Sequence, residues 1–279
     1  MALEDKTISF IGSGIMAEAM IKGLLNQKLL HPERMIAADP REERGRELTA
    51  QYGLRVTTDN AEAAEAADIL VLSTKPQVIG QVFNSLRGQG SKASLVLSIL
   101  AGVRVSTLRD GTGNRSIARA MPNTPAQIGE GITVWTATPE VPDSERQQAK
   151  ALLGALGEEL FMEDEKFLDM ATALSGTGPA YVFMFMEALI DAGVHMGFSR
   201  RDAERLVLQT VRGSVDYAQQ SGLHQAELRN QVTSPGGTSA EAIYQLEKGS
   251  LRTVLSRAVY AAYRRSVELG KAQEKRRED

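Results

Sequence analysis

Residues 7–17 read TISFIGSGIMA. Thr7-Ile8-Ser9-Phe10-Ile11 is a short run of β-formers. Gly12-Ser13-Gly14 breaks it, and Met16, Ala19, Met20 and Leu24 then recur at helical spacing. A strand feeding a helix through G-x-G-x-x-A is the arrangement that seats a dinucleotide pyrophosphate. Gly12 allows the tight turn. Gly14 lets the backbone approach the phosphates, and the small Ala17 lets the helix lie close on the sheet. Orphan N–H groups at the helix start supply the anion site. Gly12, Ser13, Gly14, Ile15, Met16 and Ala17 are therefore candidate cofactor residues. A tight β–α turn with no ligand would satisfy the same pattern, so the decision rests on the pattern of the chain beyond residue 24.

That pattern is alternation. Met35–Ala38 reads as a second strand, a charged helical segment spans Arg41 to Tyr52, and Val56 marks a third strand. Asp68–Ser73 and Ser94–Ile99 read as buried strands, and the runs 116–119 and 132–135 come after them. Strands alternating with helices imply a parallel sheet covered on both faces, with ligands at the carboxyl ends of its strands. Asp39 closes the second strand, where an acid accepts hydrogen bonds from the adenine ribose and favours NAD. Arg41 lies where it could meet the 2′-phosphate of NADP instead, and Asp39 before Pro40 also suits a helix N-cap. Lys75 follows the fourth strand, a cofactor position or a surface lysine beside Pro76. Pro122 and Pro125 stiffen the end of another strand, with Asn123 and Thr124 between them; rigid backbone would be useful beside a nicotinamide, and a proline-rich turn is the plainer alternative.

After about residue 163 the β-runs stop, so the chain divides into a doubly wound dinucleotide domain (1–163) and an all-helical domain (164–279). Residues 180–197, AYVFMFMEALIDAGVHMG, are apolar on nearly every side. Such a helix must be buried all round. A small helical domain would struggle to do this alone, so a second subunit is expected to cover it, with burial within one chain as the alternative. The tail KAQEKRRED reads as a solvated, frayed end.

The 279 residues are 42% hydrophobic and 24% charged, with a net charge of −3 and no cysteine. That balance argues for a folded core and gives no field for nucleic acid or anionic lipid. Disulfides and thiolate chemistry are excluded, and His31, His195 and His224 have no metal-ligand spacing. The acidic start lacks the form of a signal peptide, and the apolar stretch Ala180–Met186 is short for a membrane span. A cytoplasmic protein is expected. No lysine occurs between Lys166 and Lys248, which removes the proton donor used by β-hydroxyacid dehydrogenases. A protonated imine needs little acid catalysis and would suit such a site, which then has mainly to orient and stabilise.

Residues 232–242, VTSPGGTSAEA, place a permissive loop ahead of a late helix. Thr238-Ser239-Ala240-Glu241 has the capping-box form. Backbone N–H groups at such a helix mouth suit a carboxylate, although a well-capped helix alone would explain the pattern.

The chain resembles the pyrroline-5-carboxylate reductase family over essentially its whole length. The resemblance is carried by FIGSGIMA, STKPQ, ARAMPNTPAQIGEG, TALSGTGPAYVF and, above all, VTSPGGTSAEAIYQLE. It implies a Rossmann-type domain and a helical domain that intertwines into a homodimer, often assembled further into decamers of five dimers. It implies hydride transfer from NADPH or NADH to the C=N carbon of 1-pyrroline-5-carboxylate, giving L-proline. It assigns the backbone of Gly237 and Thr238 to the substrate carboxylate. Ser239 falls where a hydroxyl meets the ring nitrogen, as the candidate catalytic residue. Ser234, Glu165 and Thr172 fall at substrate-lining positions. Asn60, Thr74, Lys75, Ala101 and Gln231 match cofactor positions, although Gln231 replaces a common Asn. Asp39 departs from the family's usual Ser or Asn. Tyr181, Phe183, Phe185 and Met186 become interface core, with Leu189 and Ile190 beside them. A reductase of a six-membered cyclic imino acid and a non-catalytic dinucleotide sensor are the rival readings.

Overall fold

The computed structural model describes residues 2–278, with side chains described through Ala272. The first unit is built in the order β1 (Ile8–Ile11), α1 (Ile15–Asn26), β2 (Met35–Ala38), α2 (Glu42–Tyr52), β3 (Arg55–Thr57), α3 (Asn60–Glu65), β4 (Ile69–Leu72), α4 (Ile79–Ser85), β5 (Leu95–Ser98), α5 (Val105–Thr112), β6 (Ile117–Met121), β7 (Gly131–Ala137), α6 (Asp143–Gly154) and β8 (Gly157–Phe161). The strands form one sheet in the order β3-β2-β1-β4-β5-β6-β7-β8. The chain leaves β1 toward β2 and β3, then returns to place β4 on its other side. That reversal opens a crevice at the carboxyl ends of β1 and β4.

The strands are short and apolar because both faces are covered. Ile8, Phe10, Ile69, Val71, Leu95 and Leu97 face a core shared with α1 and α6. Leu70, Leu72, Val96 and Ile117 face the opposite core, built with α3, α4 and α5. Such two-sided burial is what a parallel sheet requires.

One strand departs from the parallel pattern. β7 runs antiparallel to β6, pairing Arg119 with Thr136 and Met121 with Val134. The link between them, residues 122–130, carries only a tight helical turn (Thr124–Ile128). A parallel crossover needs a dozen residues or more. β8 was not legible in the sequence: its exposed Glu158 and partly exposed Glu159 break the apolar pattern at the sheet edge. Gly157 has φ +130°, and a Cβ there would stand 2.2 Å from the carbonyl oxygen of Gly131.

After β8 come α7 (Lys166–Ala171), a π-helical turn (Thr172–Gly176), α8 (Gly178–His195), α9 (Arg200–Ser221), α10 (Gln225–Gln231), α11 (Thr238–Lys248) and α12 (Leu251–Glu278). By packing, the first unit comprises residues 1–177 with 262–279, and the second residues 178–261. α7 and the end of α12 thus group with the sheet. Leu168 and Ala171 of α7 pack on Val134 of the sheet, and Ser266 of α12 donates to Asp169 at 2.7 Å. The tail read as a frayed end continues α12 as far as Glu278; its side chains from Gln273 onward lie outside the described residues.

The second unit is helical throughout. α8 and α9 approach closely at Gly193, where an added Cβ would lie 3.0 Å from the Cβ of Ala203. The helix α8 is not covered within the chain: Phe183 is 59% exposed and Phe185 48%.

Candidate dinucleotide and carboxylate sites

The glycine loop joins β1 to α1 at the crevice. Gly12 has φ +88°, and a Cβ on it would sit 2.7 Å from Thr74 Cγ2 and 3.0 Å from the Ser73 carbonyl oxygen. No residue but glycine fits that turn. At Gly14 an added Cβ would meet nothing within 4 Å. The loop therefore opens onto free space at Gly14. Glu18 N–H is bonded to Gly14 C=O at 3.0 Å, so the N–H groups of Ile15, Met16 and Ala17 have no intrahelical partner. The buried hydroxyl of Thr74 is without a partner among the described residues. Orphan amides, an open glycine and an orphan hydroxyl fit a diphosphate.

Ser13 is fully buried, and its N–H and hydroxyl donate to Asp39 Oδ2 at 3.2 and 3.0 Å. Its carbonyl accepts from Arg44 Nε at 2.9 Å. Ser13 thus ties the loop to the end of β2. Arg44 also bonds Glu18, which accepts from Tyr52 at 2.9 Å. Burial opposes the charge on Glu18, but the bonds from Arg44 and Tyr52 outweigh it and lower its pKa.

Asp39 does not cap α2; the N-cap position belongs to Arg41, without a side-chain cap. Asp39 instead accepts from Arg41 N–H at 3.1 Å and Arg41 Nε at 2.9 Å. Burial pushes its pKa up, but the bonds from Arg41 and Ser13 overcome this and hold it at about 2. Asn60 opens α3 and donates to Ser85 Oγ at 2.8 Å. Lys75 is exposed beside Pro76, and Ala101 lies in the turn after β5.

Glu165 precedes α7. Its Oε1 accepts from Arg119 Nη1 at 2.6 Å and from Val105 N–H at 2.8 Å. That carboxylate therefore joins β6, α5 and α7. Thr172 opens the π-turn, and its hydroxyl donates to Leu168 C=O at 2.7 Å. Asn123, whose purpose the sequence left open, connects the two segments: it accepts from Ile132 N–H at 3.0 Å and donates to Ser175 C=O at 3.2 Å. π-turns of this kind occur frequently at functional sites. The amide between two prolines was the available signal, but its partner lies far along the chain.

In the second unit, the stretch before α11 is a tight turn. Gly237 N–H donates to Ser234 C=O at 3.1 Å, with Pro235 and Gly236 (φ +71°) at the centre. Proline followed by a positive-φ glycine is the signature of a type II turn. Gly237 is the N-cap of α11, and no side chain caps the helix. The expected capping box is not formed, because Gly237 rather than Thr238 takes the N-cap position; Glu241 accepts from Gln245 at 2.9 Å. The N–H of Gly237 is used by the turn. The amides of Thr238 and Ser239 form the helix mouth, and Ser239 is half-buried. Gln231 ends α10 and accepts from Tyr217 at 3.3 Å.

A relative from Synechocystis sp., a pyrroline-5-carboxylate reductase, is 42% identical over 95% of this chain and 98% of its own. The chain belongs to the pyrroline-5-carboxylate reductase family. The family described as pyrroline-5-carboxylate reductase dimerisation matches residues 165–269. The one described as NADP oxidoreductase coenzyme F420-dependent matches residues 7–102. Among solved structures, the reductase from Coxiella burnetii superposes with a TM-score of 0.87 at 35% identity, covering 95% of this chain and 98% of that one. The Plasmodium falciparum enzyme, solved with NADP bound, gives 0.87 at 33% identity and the same coverage. Within this family, the NAD(P)-type loop and the dimerisation helices are the two parts described above. The apolar cover missing from α8 is what a dimerisation unit leaves for its partner.

Proposed function

We propose that the protein reduces the C=N bond of 1-pyrroline-5-carboxylate to give L-proline, the last step of proline biosynthesis. The observation that carries this reading is the match of both units, at 42% identity over 95% of the chain, to a reductase of that name. When bound, NADPH or NADH supplies the hydride. The chain's residues bind and orient. The Ile15–Ala17 amides and Thr74 hold the cofactor phosphates, with Asn60, Lys75, Ala101 and Gln231 as further cofactor contacts. The Thr238 and Ser239 amides grip the substrate carboxylate, helped by the positive end of the α11 dipole. The Ser239 hydroxyl orients the ring nitrogen. A serine hydroxyl is a poor acid, and an iminium needs little acid help. Glu165 shapes the pocket through Arg119 and Val105, and Thr172 through its π-turn; Ser234 supports the carboxylate turn.

The working unit is a homodimer, in keeping with the dimerisation match over residues 165–269, and the family resemblance points to five dimers per decamer. The segment Lys166–His195 is the one described helical stretch long and apolar enough to cross a membrane. Glu187 and Asp191 within it would each cost about 3 kcal/mol at a bilayer centre, so a dimer interface in a cytoplasmic enzyme is the better fit.

The deciding assay follows NADPH and NADH oxidation with five- and six-membered cyclic imino acids in parallel. Turnover of the five-membered acid is expected to dominate. Equal or greater turnover of the six-membered acid would overturn the substrate assignment. Ser239→Ala is expected to lower kcat about tenfold, the equivalent of one positioned hydrogen bond of ~1–1.5 kcal/mol.

A further inference from the structure

The acid at the end of β2 is ordinarily the reader of the adenine ribose, and a free carboxylate there repels a 2′-phosphate. In this protein that carboxylate is not free. Its Oδ2 accepts from both the N–H and the hydroxyl of Ser13. Its Oδ1 accepts from the N–H and Nε of Arg41, and Arg41 Nη2 reaches Oδ2 at 3.1 Å.

The two partners differ in how readily they can leave. Ser13 is wholly buried, and its carbonyl is pinned by Arg44. Releasing it would loosen the glycine loop itself. The Arg41 side chain is 65% exposed, against 8% for Asp39. Its guanidinium covers the carboxylate from the solvent side through Nε and Nη2, leaving Nη1 unengaged by Asp39. A second anion approaching Asp39 therefore meets a guanidinium before it meets a carboxylate. Arg forks suit such oxyanions geometrically.

We propose that Arg41 admits the 2′-phosphate of NADPH by masking Asp39, and that Asp39 is a positioning residue for the glycine loop rather than the reader of the ribose. The proposal rests on the reading of this unit as the NAD(P)H site. It reverses the simple rule that an acid at this position selects NAD. It also explains how an acid can stand there in a family whose P. falciparum member is solved with NADP.

The test uses the full-length protein and two cofactor fragments, 2′,5′-ADP and 5′-AMP, titrated by calorimetry. Wild type is expected to bind 2′,5′-ADP at least as tightly as 5′-AMP. Arg41→Gln is expected to lose tenfold or more in affinity for 2′,5′-ADP and less than threefold for 5′-AMP, with Arg41→Lys recovering part of the loss. Asp39→Asn is expected to weaken both fragments by a similar factor. Two results would overturn the proposal: an equal loss of both fragments in Arg41→Gln, or a selective gain of 2′,5′-ADP in Asp39→Asn. Wild type that binds neither fragment would overturn the dinucleotide reading along with it. Binding of both without imine-dependent NADPH or NADH oxidation would count only against the reductase reading.

Discussion

Phe185→Glu tests the assembly on which the helical unit depends. Phe185 is 48% exposed in the single chain. A phenylalanine presents about 200 Å², so roughly 100 Å² remains for a partner to cover. At ~25 cal/mol per Å², its burial contributes about 2.5 kcal/mol per protomer. A two-fold interface uses the residue twice, which brings the sum to about 5 kcal/mol. Glutamate forfeits this and adds the cost of desolvating a charge. The dimer Kd should therefore rise by a factor of about 10³–10⁴ or more. Sedimentation velocity across a concentration series, with circular dichroism to verify the helices, measures this directly. A helical variant that stays dimeric at the wild-type concentrations would refute the reasoning, because α8 would then not be the buried surface.

Asp39 gives a pH prediction. Its folded pKa, about 2, lies below the ordinary value of 3.8. Its contribution is therefore complete above about pH 4 and lost as pH falls through 2. The amount is about 2 kcal/mol. Asp39→Asn should lower stability at pH 7 by about that much and flatten the acid limb of the stability curve; an unchanged limb would count against the carboxylate network. Asn123→Ala removes two bonds from a nearly buried amide, and should cost ~1–3 kcal/mol in chemical denaturation. It should also lower turnover with the imino acid more than it weakens NADPH binding; equal effects would show a purely structural role. Gly237→Val should raise KM for the imino acid while NADPH affinity holds, since a Cβ there would stand 2.7 Å from Ser234 Oγ. An unchanged KM would remove the helix mouth as the carboxylate site.

Several features were legible in the sequence because they depend on neighbours along the chain. The β1–loop–α1 unit follows from period and glycine spacing over residues 7–24. The turn at 234–237 follows from proline and glycine side by side. The unmet apolar surface of α8 follows from composition alone, since no arrangement of so many apolar side chains on one helix can all face water. Other features needed the tertiary structure. The direction of β7 was set by the length of the link before it, and β8 was hidden by its two glutamates, of which Glu158 meets water and Glu159 accepts from Trp135. The role of Asn123 waited on Ser175, and that of Glu165 on Arg119 and Val105. The capping-box pattern at Thr238 misled, because the turn at 234–237 makes Gly237 the N-cap and Thr238 the first helical residue. Asp39 shows the limit most clearly. Sequence supplied an acid at the right place beside an arginine. Only the folded chain decided that the acid faces Ser13, because a carboxylate's meaning is set by which donors surround it, and those donors come from separate parts of the chain.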